Sequence, residues 1–430
     1  MEHTNEVYKD IDPPSVWLSA FVLAVFMIFT ALVVHSSTCL ADTTETNYSP
    51  VRSNQFFSES KVDANRSSAL LKYRALPIQN LADASGRYAD AMTDYDDVGT
   101  YNTIQAIKAA DNNVPTIVKT ADQLIAALTN KNVHYIQLGA NILMSGSAVS
   151  GYQSRSMLSA TSGNVPARNF VIDGNQGQYT LEGNYWGNEG PEIYLNNTFQ
   201  GTVAFNNIQL CGTSYWGPLT LRDQNGTAAQ NTKLIYRNID YQGSQLTASY
   251  YANVTFTGYN TVYCQKSYTG LDSSNNYSRT KAVTGYAYQE NIEVSSVTFA
   301  KNTVYIGSSD GSGCISLGKW INYNGAALID QNAQVTLSNA GNRGFTAWTQ
   351  GLLVVNGTLT VSPYATLNVN LNNNTISGTP YNGITVDNYN SVKSNFVIAD
   401  HAAVNINSDG PYNSYQSGGS IGTANIGGPL

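Results

Sequence analysis

The sequence predicts an all-β chain wound as a single-stranded, right-handed parallel β-helix (a solenoid), and three observations predict it. Short apolar runs recur between about Thr116 and Asp409, each closed by Asn, Gly or Ser: FVIDGN from Phe170, TVAFNNIQLCG from Thr202, KLIYRNIDYQG from Lys233, SVTFAKNTVYIG from Ser296 and LLVVNGTLTV from Leu352. Some repeat one another. NIQLCG at Asn207 aligns with NIDYQG at Asn238, and VTFTGYNTVY at Val254 with VTFAKNTVY at Val297. Self-similarity with drifting spacing belongs to solenoids in which each coil touches its neighbours, and coils of roughly 20–30 residues fit. Charged residues make up only 12% of the 430, about half the usual share of roughly 25%. That is too few for a bundle of surface helices, whereas Asn, Gly, Thr and Tyr suit strands with tight corners. A β-sandwich is the other all-β architecture, but Asn-Gly and Asp-Gly pairs do not fall between matched strands at hairpin spacing throughout.

The start of the stack is read from Ile117–Ile142, IVKTADQLIAALTNKNVHYIQLGANI. Thr120 is placed as an N-cap with Gln123 three residues on, the spacing of a capping box, and Leu124, Ile125 and Leu128 form a short apolar face at helical period. After Thr129–Asn132 the period changes to strand through Val133, Tyr135, Ile136 and Leu138 to Ile142. A short capping helix followed at once by strands reads as a lid over the open first coil, whose bare edge would otherwise template pairing. In later strands, alternation (Val254, Phe256; Val355, Leu359, Val361; Leu367, Val369, Leu371) sends one face into a core and leaves Thr, Asn and Tyr to solvent. Asn206-Asn207 and Asn372–Asn374 suit corners, because Asn tolerates left-handed backbone and can stack in a ladder.

Composition shifts divide the chain into a short N-terminal segment (1–15), a signal peptide or transmembrane anchor (16–34), a polar leader or stalk (35–115), the β-helix (116–409) and a Gly/Ser-rich tail (410–430). Val16–Val34 carries no charge over 19 residues, enough for a hydrophobic helix to cross about 30 Å of hydrocarbon. Cys39-Leu40-Ala41 offers a secretory cleavage point after Ala41, although Glu2, Glu6, Asp10 and Asp12 outweigh Lys9 where a signal peptide carries positive charge. Either reading sends the bulk of the chain outside the cell. The leader reads as largely irregular, with helical patches around 68–92 and 104–110. The tail holds no LPxTG-like sorting motif.

Net charge is −7 with no basic run, so a nucleic-acid footprint is absent, and polyanions such as pectin would need bridging metal ions. Of the four cysteines, Cys211, Cys264 and Cys314 lie in the body; they read as buried small side chains, with one disulfide as the alternative. No Cys/His spacing suits zinc.

The helix TADQLIAAL, the strand YIQLGANI, the phrase FVIDGNQGQYTLEGN and the coils with NNIQL and VTFAKN together resemble the pectate-lyase-like adhesive domain of surface proteins from lactobacilli and related Gram-positive bacteria. The resemblance covers about Thr116–Asp409. It implies a right-handed β-helix on an exported cell-surface protein that serves adhesion rather than catalysis.

Parallel β-helices also host lyases and hydrolases, so the fold alone does not decide function. A calcium-dependent lyase needs clustered carboxylates and an Arg base, and the body's carboxylates are scattered singly: Asp173, Glu182, Asp223, Asp240, Asp310, Asp330, Asp387 and Asp400. On an enzyme reading, Arg222 or Arg237 would be the base and Asp223 and Asp240 metal ligands; a surface ion pair or turn is the plainer reading. The lyase phrases built on WIDH and RxPxxR and the polygalacturonase phrases NTD, GHG and RIK are absent, and His134 and His401 read as structural residues of strand-like runs. No catalytic, cofactor or metal residue is therefore assigned. The binding reading rests on aromatic rings near loops: Tyr185-Trp186, Tyr215-Trp216, Tyr250-Tyr251, Tyr286 with Tyr288, and Trp320 with Tyr323. Such rings beside amides and hydroxyls can stack on sugars or on protein. The expected partners are host or bacterial surface glycans or glycoproteins, and the membrane through Val16–Val34 if that segment is retained.

Overall fold

A computed structural model of the chain describes residues 88–145, 165–184, 193–195, 199–213, 217–221, 231–265, 267–272, 274–282, 290–309, 313–318, 325–339, 352–355, 357–371, 384–387, 394–408 and 424–426. The chain divides at Ser58/Glu59 into two units, and every described residue belongs to the second. The apolar segment Val16–Val34 and the leader up to residue 87 lie outside the described residues. Among the described residues no helix is long and apolar enough to cross a membrane.

What orders the rest is a set of parallel ladders in which each strand pairs with its counterpart one coil away, gathered into one 21-stranded sheet. The first ladder climbs from Thr116–Val118 through Tyr135–Leu138 and Phe170–Asp173, and then through the leading halves of Gly201–Gly212 and Thr232–Gly243. It continues through Asn253–Thr257, Ser296–Phe299, Ala326–Ile329, Thr358–Val361 and Asn395–Ile398 to Ala424–Ile426. That last strand draws part of the Gly/Ser-rich tail into the sheet. A second ladder runs from Ile142–Ser145 through the trailing halves of the same long strands to Ala403–Ser408. A third joins Thr247–Ser249, Ile292–Val294, Ile315–Leu317, Leu352–Val355 and Ile384–Asp387. Among the described residues the one antiparallel pair is the hairpin Ser267–Leu271 with Tyr277–Ala282, so a sandwich of hairpins is not what the chain builds.

The coil length varies more widely than the sequence spacing suggests, from 20 residues (Leu234 to its partner Val254) to 45 (Thr247 to its partner Ile292). The repeat NIQLCG/NIDYQG predicts its register correctly: Ile208 faces Ile239 and Gly212 faces Gly243. The repeat VTFTGYNTVY/VTFAKNTVY does so for its first half only. Val254 faces Val297 and Phe256 faces Phe299, but Tyr259 then faces Val304 and Asn260 faces Tyr305. Thr257-Gly258 turns one corner in two residues where Ala300–Thr303 uses four, so equal letters after the corner do not stack. The short corner needs Gly258 at φ +73°, since a Cβ there would fall 2.1 Å from the Asn238 side-chain oxygen.

Strand alternation sends one column of each strand inward. Ile172, Phe205, Tyr236, Phe256 and Phe299 succeed one another in register along this interior, and all are essentially without solvent contact. Their rings pile up coil on coil: Phe205 on Tyr236 at 5.5 Å and 3°, Tyr236 on Phe256 at 5.3 Å, and Phe256 on Phe299 at 5.5 Å. The inter-strand spacing of about 4.7–4.9 Å is close to ring-stacking distance, so the ladder enforces the stack. Cys211, Cys264 and Cys314 are buried thiols in these walls, and burial pushes the Cys314 thiol up to about 12.

Two helices attach to this stack. Helix α1 is Val98–Ala109, with Asp97 as its N-cap accepting from Thr100 N; it occupies ground the sequence reads as irregular stalk, overlapping the patch expected near 104–110. Helix α2, Ala121–Thr129, is the expected lid. Its Thr120 cap accepts from Gln123 N at 3.2 Å, while the Gln123 side chain takes Lys119 N at 2.7 Å, one residue before the cap. Leu124, Ile125 and Leu128 of α2 join Ile136, Leu138 and Ile142 in the interior core. Arg168 closes the far end of the lid, donating to Ala127 O at 3.1 Å and to Val133 O at 2.7 Å.

The interior stack makes a direct prediction. Tyr236→Ala removes a ring held on both faces and should cost about 3–5 kcal/mol, read as a lower urea midpoint. Tyr236→Phe, which keeps the ring, should stay within about 1.5 kcal/mol of the parent.

Candidate binding face and the polar seam beside it

The outward column of the first ladder is Tyr135, Val171, Ala204 and Ile235, in register over four coils and apolar throughout. It is covered by α1, whose Ile104 and Ile107 pack on it as a second, smaller core. Two residues along each strand the same face becomes polar: Asp173, Asn206, Arg237 and Thr257 stand in register on successive coils. The leader covers these as well. Lys108 of α1 donates to Asp173 at 2.7 Å, Asn206 donates to the same carboxylate at 2.6 Å, and Arg237 donates to Asn206 at 3.1 Å. Asp97 N donates to Thr257 at 2.8 Å.

Arg237 is the hub. Its guanidinium is fully buried and bonds both oxygens of buried Asp96 at 2.8 Å, the carbonyls of Ala89 and Ala91, and the side-chain oxygens of Asn206 and Asn207. A guanidinium bonded on every side to acceptors has no means of taking a proton from a substrate. The sequence reading of Arg237 as base or as surface ion pair gives way to a buried clamp between leader and solenoid. Asp240, read as a possible metal ligand, is buried and accepts from the hydroxyls of Tyr88 and Thr261. Glu182 lies beneath the hairpin, accepting from Tyr268 OH at 3.0 Å and from Leu271 N. Burial, reinforced by the Glu182 charge, holds the Tyr268 phenol well above its ordinary range, so it stays a donor. Asp173 and Glu182 thus lie on one coil and Asp240 two coils further on, on the strand that carries Arg237, yet each is covered. Among the described residues no group of three His, Cys, Asp or Glu side chains could hold a metal ion. Arg222, Asp223 and Asp310 lie outside the described residues.

Beyond the coils covered by the leader, the outward faces meet solvent. Thr336, Asn368 and Asn405 form one outward column of the second ladder, linked by Asn405 donating to Asn368 at 2.9 Å and Asn368 to Thr336 at 3.4 Å. On the first ladder, Thr360 and Val397 take the corresponding positions, part-exposed and exposed. Between these faces run the corners, each a four-residue turn closed by the amide of its last residue: Ala300–Thr303, Asp330–Ala333, Ser362–Ala365 and Ala399–Ala402. The third residue of each turn is left-handed: Asn302, Asn332, Tyr364 and His401, at φ between 61° and 65°. Asn is suited to that conformation, and Asn332 donates to Asn302 at 3.1 Å. His is also found there, but Tyr carries no such advantage, and left-handed backbone costs an ordinary L-residue roughly 1–2 kcal/mol. Yet Tyr364 is 57% exposed, and its ring lies flat on that of exposed His401 at 5.1 Å and 7°.

His401 therefore stands in a corner turn rather than in a strand, while His134 has its backbone N bonded to Asp111 and its ring to Asn169 O. Of the rings proposed for binding, Tyr251 is buried in the core. The side chain of Tyr250, and all of Tyr185, Trp186, Tyr215, Trp216, Tyr286, Tyr288, Trp320 and Tyr323, lie outside the described residues. Tyr364 was not among the rings singled out. Its signal was available in SPYATL and ADHAAV, which align with DQNAQV as successive corners and place Tyr364 and His401 where Asn332 stands.

Two outcomes follow for the seam. Asp96→Ala should destabilise the chain by about 3–5 kcal/mol by stranding a buried cation, and Asp96→Ala/Arg237→Met should recover much of that loss in urea unfolding. Lys108 has its proton held above the ordinary 10.5; burial opposes this, and the Asp173 charge and hydrogen bond outweigh it. A cation with a raised folded value contributes stability that is complete below the unfolded value and is lost as pH climbs through the folded one. The melting temperature should therefore fall more steeply above about pH 10.5 in the parent than in Lys108→Met.

Residues 116–248 match the family model described as "Putative pectate lyase-like adhesive domain". Solved structures similar to the chain include "L. reuters 100-23 SRRP", at TM-score 0.48 and 17% identity over 68% of this chain and 78% of that one. Another is "L. reuteri 53608 SRRP", at TM-score 0.44 and 14% identity over 68% of this chain and 97% of that one. No curated protein matches the chain. The resemblance carried by TADQLIAAL, YIQLGANI and the following coils is thus matched by that family model over residues 116–248.

Proposed function

We propose that this chain is an exported cell-surface protein whose right-handed parallel β-helix binds host or envelope glycans and glycoproteins without catalysing a reaction. The observation that carries the reading is the use the chain makes of its own charged groups. The arginine and carboxylates nearest to a lyase constellation, Arg237 with Asp173, Glu182 and Asp240, are buried and bonded to the leader, the hairpin or neighbouring coils. On the later coils the outward column Thr336, Asn368 and Asn405 turns hydroxyl and amide groups towards solvent, repeated at coil spacing. Such a surface favours many weak contacts whose sum is tight through multivalency. The right hand follows from the strong bias of parallel crossovers towards that sense. Export is supported by the uncharged Val16–Val34 segment, and the family description supports adhesion.

Cells displaying the full chain should adhere to glycan- or glycoprotein-coated surfaces, and soluble glycan should compete. Polygalacturonate incubated with purified full chain and calcium should remain intact. Calcium-dependent release of unsaturated uronides would overturn the reading in favour of a polysaccharide lyase.

A further inference from the structure

We propose that Tyr364, backed by His401, forms a ledge that takes one face of a neutral sugar ring, with the Asn302–Asn332 amide pair receiving its hydroxyls. This inference rests on the surface-binding reading and names the class of ligand and the place where it docks.

Each of the four corner turns holds its third residue in left-handed backbone. Left-handed backbone at the third position is suited to Asn and is met by Asn302 and Asn332. On the next two coils the same position is held by aromatic residues, Tyr364 and His401, both exposed. A bulky residue in that conformation is an outlier that persists only where surroundings or use hold it. Burial does not explain it, because Tyr364 is 57% exposed. The rings instead support each other, parallel within 7° at 5.1 Å.

That stacking covers one face of the Tyr364 ring with His401, on the coil that follows. The opposite face looks towards the preceding coil, where the corner carries Asn332, held to the same stack by its N–H bonding Pro363 O at 3.4 Å. Asn is much shorter than Tyr, so the outer part of the phenol ring overhangs it. Asn332 donates to Asn302, which leaves the Asn332 side-chain carbonyl and the Asn302 amino group to meet hydroxyls beneath the overhang. An aromatic face above a row of neutral amides is complementary to a sugar ring, whose C–H face is apolar and whose rim is hydroxylated. Tyr364, Asn302 and Asn332 carry no charge, which suits a neutral sugar.

The test is saturation-transfer NMR on the full chain with neutral hexaoses of glucose, galactose and mannose as probes. At least one hexaose should receive saturation from the parent. Tyr364→Phe should retain the signal. Tyr364→Asn, which suits the left-handed turn, should melt at or above the parent temperature while losing at least tenfold in hexaose affinity. Equal binding by Tyr364→Asn and parent overturns the ledge. A chain that adheres to glycan surfaces yet shows no Tyr364-dependent transfer overturns the ledge and leaves the surface-binding reading standing; a chain that does neither overturns both.

Discussion

Coil-to-coil register is the constraint on which this molecule depends. A parallel ladder places each residue directly against its counterpart one coil away, at a separation set by the backbone hydrogen bonds. A side chain in the interior must therefore suit the one stacked on it, which is how Phe205, Tyr236, Phe256 and Phe299 come to form a continuous pile of rings. The same rule makes columns of the outward residues, and two such columns explain both the buried seam and the open face. One ladder geometry thus supplies core, joint and surface.

The outward face has two regimes. FVI, VAF and LIY, from Phe170, Val203 and Leu234, are apolar at three consecutive positions because the middle residue lies under α1. From Val254 the middle residues on successive coils are Thr255, Thr298, Leu328, Thr360 and Val397, each part-exposed or exposed. The middle residue is buried under α1 and at least part-exposed beyond it, whether it is Thr, Leu or Val. Beneath the cover, buried charge is tolerated because it is paired and fully hydrogen-bonded. Lys108 with Asp173 and Arg237 with Asp96 hold leader and solenoid together, while Asn206 joins the two pairs.

Corners obey a different logic. Their length can change without breaking the ladders, as the two-residue Thr257-Gly258 and the four-residue Ala300–Thr303 show on paired coils. Local conformation limits them more strictly than packing does, since the third position of each four-residue turn must accept positive φ. Asn302 and Asn332 meet that demand at no cost to the surface, whereas Tyr364 and His401 meet it by stacking on each other.

By itself the sequence determined the class of fold, the lid and much of the register, because these are local or nearest-neighbour properties. Thr120 and Gln123 mark a helix start, Val-Thr-Phe alternation marks a half-buried strand, and NIQLCG over NIDYQG pairs like with like. Tertiary structure alone decided what lies on the outward face. Arg237 meets Asp96 across 141 positions and Tyr88 meets Asp240 across 152, separations that no periodicity reports. Those contacts turned the residues most suggestive of catalysis into a structural joint and moved the candidate binding face to later coils. The physical reason is that strand alternation tells inside from outside, but only long-range packing settles whether an outward side chain meets water or another part of the chain.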